Sequence, residues 1–198
     1  MAGRTGGFCF FGGDKLTMTS NTLTGIHVKL RALEPDDADL LYSWENDTSI
    51  WDVSNTIAPF SRFQLEEYVI NSQQDIFSTK QLRLMVVLIE PDEKEKPVGT
   101  IDLFDFDPLH HRAGVGILIR EPYRDKGYAL DAMQIFIKYA FATLRLHQLY
   151  CNISPQNIFS LKLFEKLGFV NCGIKKEWMN DGQKWLDEWM FQLIHHDA

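Results

Sequence analysis

The amino-acid sequence predicts one domain of the α/β (α+β) class, with about seven strands and about four helices. Segments whose apolar residues alternate with polar ones indicate strands, whereas apolar residues that recur every three or four positions indicate helices. In chain order these segments read β-α-α-β-β-β-α-β-α-β-β. The length of 198 residues suits a single hydrophobic core, because one domain usually takes roughly 100–200 residues.

The first half of the chain begins with residues 1–25, which are rich in Gly, Thr and Ser and show no sustained period. We therefore expect a flexible arm there, followed by the domain at 26–198. Alternation over 28–33 predicts the first strand, and helices begin at Pro35 and after Ser61. Three strands follow in series, at 83–90, 98–106 and 111–119.

The second half alternates between the two periods. After Gly127 the apolar residues fall on one face of a long helix. Gly168 ends a later helix, because glycine readily adopts the left-handed conformation that terminates helices. The remaining elements are a strand at 149–153, the helix at 156–167, and two last strands at 169–178 and 184–194.

The charge balance excludes one class of partner. Lysine and arginine number 20 and aspartate and glutamate 27, so the formal charge is −7. Sequence-independent nucleic-acid binding needs a basic surface, whereas an acidic one suits a cationic small molecule or a basic peptide. The hydrophobic content of 45% exceeds what disorder tolerates, and no apolar run approaches the ~18 residues of a membrane span. We expect a globular protein with no nucleic-acid and no membrane partner.

Cysteine and histidine spacing does not predict a metal site. Cys9, Cys151 and Cys172 are far apart and odd in number, which indicates neither a disulfide framework nor a zinc site. Adjacent histidines occur at 110–111 and 195–196, but neighbouring residues in a strand point to opposite faces. A reducing, cytoplasmic location fits these cysteines.

The sharpest local pattern lies at 117–129, where a strand runs into a short loop and then a long amphipathic helix. The first turn of a helix has unpaired N–H groups and the positive end of the helix dipole, so it binds phosphate. Gly127 and Ala129 leave room for a pyrophosphate, and Arg124 and Lys126 add positive charge. The P-loop pattern and the dinucleotide pattern Gly-x-Gly-x-x-Gly are both absent from the sequence, which excludes those two cofactor classes.

The spacing Arg124-x-x-Gly127-x-Ala129, after a strand and before a helix, resembles the acetyl-CoA signature of the GNAT N-acetyltransferases. The segment 152–169 is similar to the family's strand-then-helix segment, including its Glu-Lys-x-Gly-Phe ending. The resemblance covers about residues 26–194 and is closest to the subgroup of ribosomal-protein N-terminal and spermidine acetyltransferases. It implies a central mixed, mostly antiparallel sheet with a splayed pair of parallel strands.

The resemblance also implies where acetyl-CoA lies, namely between the two parallel strands that end near Ile119 and Ile153. Backbone groups of Ile117 and Ile119 are expected to hold the pantetheine arm, and one N–H near Leu118 to face the thioester oxygen. Asn157 is expected to bond the pantetheine arm or to cap the helix that follows it. The residues implied in cofactor binding are Ile117, Leu118, Ile119, Arg124, Asp125, Lys126, Gly127, Tyr128, Ala129 and Asn157.

The reaction that the resemblance implies is direct attack of a neutral primary amine on the thioester, in a ternary complex. Many members have a tyrosine general acid where this chain has Phe164. Ser160, one turn earlier, is therefore the predicted partner of the sulfur, unless it only packs there. The position of a frequent glutamate base is Gly114, so Glu177 becomes the predicted base. The alternatives that stay open are Glu34, Asp102 and Asp105.

Two interpretations of the function follow. The first is an enzyme that acetylates a polyamine, a protein N-terminus or a small-molecule amine. The second, motivated by Phe164 and Gly114, is a catalytically weak acyl-CoA-binding or sensing module of the same fold. The sequence does not set the oligomeric state, and a homodimer is compatible with it.

Overall fold

The computed structural model describes residues 22–51, 56–72, 74–90 and 95–196. Its strands are β1 (Val28–Ala32), β2 (Leu82–Leu88), β3 (Lys96–Asp107), β4 (Arg112–Ile119), β5 (Gln148–Ile153), β6 (Val170–Asn180) and β7 (Trp185–Ile194). Its helices are α1 (Ala38–Glu45), α2 (Arg62–Asn71), α3 (Ile76–Thr79), α4 (Tyr128–Ala142) and α5 (Ile158–Lys166). Most of the predicted arm at 1–25, including Cys9, lies outside the described residues.

The strands and helices predicted from periodicity are confirmed, with strand ends that shift by one or two residues. The helix predicted from Pro35 starts with a 3-10 turn, Pro35–Asp37, and α1 follows it. Ser61 caps α2, because its side chain accepts a hydrogen bond from the Gln64 N–H at 3.1 Å. The single turn α3 was not predicted, since four residues are too short for a helical period to show. No helix in the described part of the chain is long and apolar enough to cross a membrane.

The seven strands form one sheet in the order β1-β2-β3-β4-β5-β7-β6. All neighbours are antiparallel except β4 and β5, which are parallel. Their pairing starts at Arg112 with Gln148 and ends at Gly114 with Tyr150. Beyond that point β4 continues to Ile119 without pairing with β5, so the two strands separate. The predicted mixed, mostly antiparallel sheet with a splayed parallel pair is confirmed.

Different helices cover the two faces of the sheet. The α4 face holds the larger core, in which α4 and α5 pack on the sheet through residues such as Met133, Phe136, Leu161 and Phe164. The α1/α2 face holds a smaller core formed by Leu33, Ala38, Leu41, Trp44, Val69, Met85 and Val87. Because successive residues of a strand point to opposite faces, Gly114, Gly116 and Leu118 of β4 lie on the α1/α2 face.

A buried carboxylate joins the start of β1 to the first turn of α4. Asp131 is 8% exposed, and its Oδ2 accepts hydrogen bonds from the N–H groups of His27 at 2.6 Å and Val28 at 3.1 Å. Its Oδ1 accepts one from the Ile26 N–H at 3.2 Å. A Cβ at Gly25 would lie 2.7 Å from Cδ1 of Ile135, so only glycine lets the chain pass this close to α4.

Candidate active site

The gap between β4 and β5 is lined by backbone groups of β4. The N–H of Arg120 donates to the Val98 carbonyl of β3 at 2.9 Å. The N–H and C=O groups of successive residues in a strand point to opposite sides. The backbone groups of Leu118 therefore also face β3, and those of Ile117 and Ile119 face the gap. An N–H directed into the gap at this level therefore belongs to Ile117 or Ile119 and not to Leu118 itself.

The loop between β4 and α4 ends in a backbone curl at the open end of the gap. Asp125 and Gly127 have φ values of 60° and 82°, both in the left-handed region. The first hydrogen bond of α4 runs from the Asp131 N–H to the Gly127 carbonyl at 3.1 Å, so the N–H groups of Tyr128 and Ala129 precede the helical ladder. A Cβ at Gly127 would have no atom within 4 Å, so the surface here is open to a ligand.

Two basic side chains at this loop are held by the loop itself. Arg124 Nε donates to the Ile119 carbonyl at 2.9 Å. Lys126 Nζ donates to the Pro122 carbonyl at 2.9 Å and lies 5.5 Å from the centre of the Tyr123 ring. Both side chains are exposed. The loop thus presents unpaired N–H groups and two cations on one side, which fits an anionic pyrophosphate.

The start of α5 lies beside the end of β5. Asn157 Oδ1 accepts a hydrogen bond from the Ser160 N–H at 3.1 Å, so Asn157 does cap α5. Its amide nitrogen donates no hydrogen bond within the described ranges, and the Ser160 hydroxyl makes none there either. Phe164 is only 4% exposed and meets Phe169 edge to face at 5.0 Å, so it is a core residue.

On the α1/α2 face an arginine bridges two carboxylates. Arg83 of β2 donates from Nη1 to Glu45 Oε1 and from Nε to Asp102 Oδ1, both at 2.5 Å. Burial acts to lower the pKa of Arg83, but Asp102, Tyr68 and Glu45 outweigh burial and raise it. The guanidinium is therefore charged at all ordinary pH values. We call these three groups the Glu45–Arg83–Asp102 bridge.

A cleft opens beside this bridge. It has a volume of about 440 Å³ and is lined by Glu45 and Arg83 together with Gln64 and the segment 56–60. The segment supplies apolar walls, among them Ile57 and Phe60. Sequence reasoning missed Glu45 and Arg83. The available signal was an arginine at the start of an otherwise apolar strand.

The closed end of the gap, where β4 and β5 still pair, is filled by aromatic side chains. The Phe104 ring lies over Gly114, where a Cβ would be 2.6 Å from the ring's Cδ2. Tyr150 meets Phe104 edge to face at 6.0 Å and donates from its hydroxyl to Asp105 Oδ2 at 2.9 Å. Burial and the Asp105 carboxylate raise the pKa of Tyr150 to about 12, so this phenol stays protonated.

The four carboxylates considered as bases lie in three different places. Glu177 is exposed on the edge strand β6, has φ 51°, and is separated from β5 by β7. Glu34 follows β1, at the opposite edge of the sheet. Asp102 and Asp105 lie on β3, which pairs directly with β4. Within the described residues no group of three or more His, Cys, Asp or Glu side chains is arranged as a metal site.

Comparison with known proteins agrees with this geometry. Residues 27–170 match the model of the acetyltransferase (GNAT) domain. The chain is 28% identical over 160 residues to the spermidine N(1)-acetyltransferase of Escherichia coli strain K12, covering 79% of this chain and 80% of the relative. It is 26% identical over 176 residues to the uncharacterised N-acetyltransferase p20 of Bacillus licheniformis, covering 89% and 97%.

A solved structure shows the same fold. The spermidine N-acetyltransferase of Vibrio cholerae, in complex with CoA and spermine, superposes with a TM-score of 0.75 at 23% identity. The alignment covers 84% of this chain and 95% of that one. The family model, the relatives and the separated strands agree, and the chain belongs to the GNAT family of acetyltransferases.

Proposed function

We propose that the protein is an acetyl-CoA-dependent N-acetyltransferase that acts on a primary amine by direct attack. The observation that carries this proposal is the separation of β4 from β5 beyond Gly114, with the start of α4 at the open end. A thioester arm laid in this gap meets the backbone groups of Ile117 and Ile119 that face it. Its pyrophosphate meets the curl at 124–129.

The proposed cofactor contacts divide by chemistry. The pyrophosphate accepts hydrogen bonds from the backbone N–H groups of residues 125–129. The cations of Arg124 and Lys126 neutralise its charge. The amide nitrogen of Asn157 donates to the pantetheine arm, since its oxygen already caps α5. A fixed N–H directed at the thioester oxygen stabilises the charge that develops there, which is commonly worth a few kcal/mol.

The proposed chemistry needs one proton acceptor and one proton donor. An alkylammonium has a pKa near 10.4, so a proton must leave before nitrogen attacks the carbonyl carbon. We assign that proton to Glu177; because β7 separates its strand from β5, the proton is proposed to reach it through a chain of water molecules. As the C–N bond forms and the C–S bond breaks, the second proton lost by the nitrogen passes to the departing sulfur, and the Ser160 hydroxyl donates a hydrogen bond to that sulfur. Positioning of the two substrates supplies a further part of the acceleration.

The acceptor is proposed to be a polyamine, a protein N-terminus or a small-molecule amine. Relatives of the chain are named for spermidine and for the alanine of ribosomal protein uS5, which are both amines. The net charge of −7 favours a cation. The 440 Å³ cleft on the α1/α2 face is the proposed entrance, because the phosphate loop lies at the start of α4 and leaves this face open.

Substitution of Gly127 tests the cofactor site. Gly127→Glu puts a carboxylate where the pyrophosphate binds, so we expect acetyl-CoA binding measured by calorimetry to be lost. Gly182→Glu is the matched control, because Gly182 also has a left-handed φ, of 87°, and open space around its Cβ position. It should strain the backbone equally and leave binding intact. Equal affinity of the Gly127 variant and wild type would remove the basis of the proposal.

Turnover separates the enzyme from a binding module. We expect thiol release from acetyl-CoA with a panel of polyamines, peptides and small amines, and acetylated products by mass spectrometry. Ser160→Ala and Glu177→Gln should each bind acetyl-CoA normally and release thiol more slowly by about 10²-fold or more. Tight binding of acetyl-CoA with no turnover on any amine would favour the sensing module instead.

A further inference from the structure

An open space lies above Gly116 on the α1/α2 face, and no residue of the proposed mechanism occupies it. Gly116 lies two residues beyond the last β4–β5 pair, where the strands have begun to separate. A Cβ built there would meet only Cε1 of Phe104, at 3.9 Å, so the position opens into free space. Its neighbour Gly114 differs, since the Phe104 ring already fills that position.

The carboxylate beside this space belongs to Asp102. Asp102 is the cross-strand partner of Gly116 and of Arg83, so the three residues form a row on one face of the sheet. Its side chain is 29% exposed. Oδ1 accepts from Arg83, whereas Oδ2 accepts no hydrogen bond from any described residue. One carboxylate oxygen is therefore left for a ligand on this face of the sheet.

The charges of the Glu45–Arg83–Asp102 bridge favour a cation. Arg83 contributes one positive charge, and Asp102 and Glu45 contribute two negative ones, so the Glu45–Arg83–Asp102 bridge has a net charge of −1. Because Arg83 is held by Glu45 as well, Asp102 is fixed in place without being fully neutralised. The Phe104 ring next to Gly116 adds an aromatic surface, and aromatic rings attract cations.

We propose that Asp102 binds the ammonium group of the acceptor above Gly116 and so places its nitrogen at the mouth of the β4–β5 gap. The acceptor class that this subsite takes is a primary alkylammonium with a slim chain next to nitrogen, which the space above a glycine admits. This inference rests on the proposed function, and it adds a binding residue for the acceptor to the proton-transfer roles given above.

The test measures binding of simple probes, so it does not depend on knowing the natural acceptor. Calorimetric titrations use n-butylamine and spermidine as cations and n-butanol as the neutral control, with and without CoA. We expect both amines to bind wild type and n-butanol not to bind. Asp102→Asn should weaken amine binding by about tenfold or more, as expected for loss of a charged hydrogen bond.

Two controls separate recognition from folding. Asp39→Asn also removes a carboxylate from an arginine pair, but on the exposed surface with Arg62, and it should leave amine binding unchanged. Gly116→Val should fill the subsite and weaken amine binding, whereas Gly173→Val, at another strand glycine with open space, should not. Urea unfolding of each variant reports its stability.

Three results would overturn the inference: no amine binding by wild type, equal binding of n-butanol, or an Asp102→Asn variant that binds amines like wild type. CoA affinity is measured separately in the same series. Absence of CoA binding in wild type would contradict the proposed function. Intact CoA binding, together with unchanged amine binding in Asp102→Asn, would contradict only the role of Asp102.

Discussion

Gly114 and Gly116 are two residues apart on the same strand and face, yet they meet different surroundings. Gly114 lies under the Phe104 ring, and Gly116 faces open space. In the sequence the two positions look equivalent, since both interrupt an apolar strand. The difference arises from Phe104, whose cross-strand partner is Gly114.

Alanine at these two positions should have opposite effects on stability. Gly114→Ala forces a methyl group into the Phe104 ring, and overpacking of this kind costs about 1–3 kcal/mol. Gly116→Ala finds room and reduces the entropy of the unfolded chain, so it should stabilise by about 0.5 kcal/mol. Urea denaturation of both variants measures the two changes, and equal changes would contradict the assigned contacts.

At the scale of elements, helix α4 is held by β1 as well as by the sheet core. Asp131 receives three backbone N–H groups from residues 26–28, next to the first turn of α4. His27, in the same segment, lies 6.2 Å from the ring of Tyr128, the first residue of α4. The strand that starts the sheet therefore helps to place the helix end proposed to bind pyrophosphate.

Removal of the Asp131 carboxylate should destabilise the fold. Asp131→Ala leaves three N–H groups without their acceptor, and because two of them are partly exposed to water we expect a loss of about 2 kcal/mol. Glu165→Ala is the matched control, since Glu165 is an exposed carboxylate on helix α5, and it should change little. Thermal and urea unfolding would show the difference. A change in Asp131→Ala as small as that of the control would contradict this role.

For the whole molecule, the folded state lowers the pKa of several carboxylates at once. Burial acts to raise the pKa of Asp37, but hydrogen bonds from Arg31 and the Glu34 N–H lower it overall. Five others have lowered pKa values because they accept hydrogen bonds from cations, hydroxyls or backbone N–H groups: Asp47, Glu95, Asp107, Asp181 and Asp187. Between the folded and the unfolded pKa values of these groups, the unfolded chain binds more protons than the folded one.

The free energy of unfolding should therefore fall in acid. A lowered pKa in the folded state contributes stability above the unfolded value, near pH 4, and this stability is lost as pH falls through the folded value. Urea unfolding at about pH 7, 5 and 3 should give similar values at the first two and a lower one at the last. Asp37→Asn should be less stable than wild type at pH 7 by about 2 kcal/mol and should lose less on acidification. A flat profile would contradict the lowered pKa values.

The sequence by itself determined the order of the elements and the position of the loop between β4 and α4 that is proposed to bind phosphate, because both depend on local signals. Alternation, helical period, and the glycines at 127 and 168 act over a few residues. The cap at Asn157 was also visible as an alternative for that residue, since a cap involves only the first turn of its helix.

Only the tertiary structure decided how residues far apart in the chain combine. It placed Arg83 between Glu45 and Asp102, laid Phe104 over Gly114, and separated Glu177 from β5 by a whole strand. These contacts depend on strand order and register, which pair residues that the sequence separates by tens of positions. Local periodicity does not specify strand register. The contacts of Arg83, Asp102 and Phe104 on the α1/α2 face are therefore defined only once the sheet is assembled.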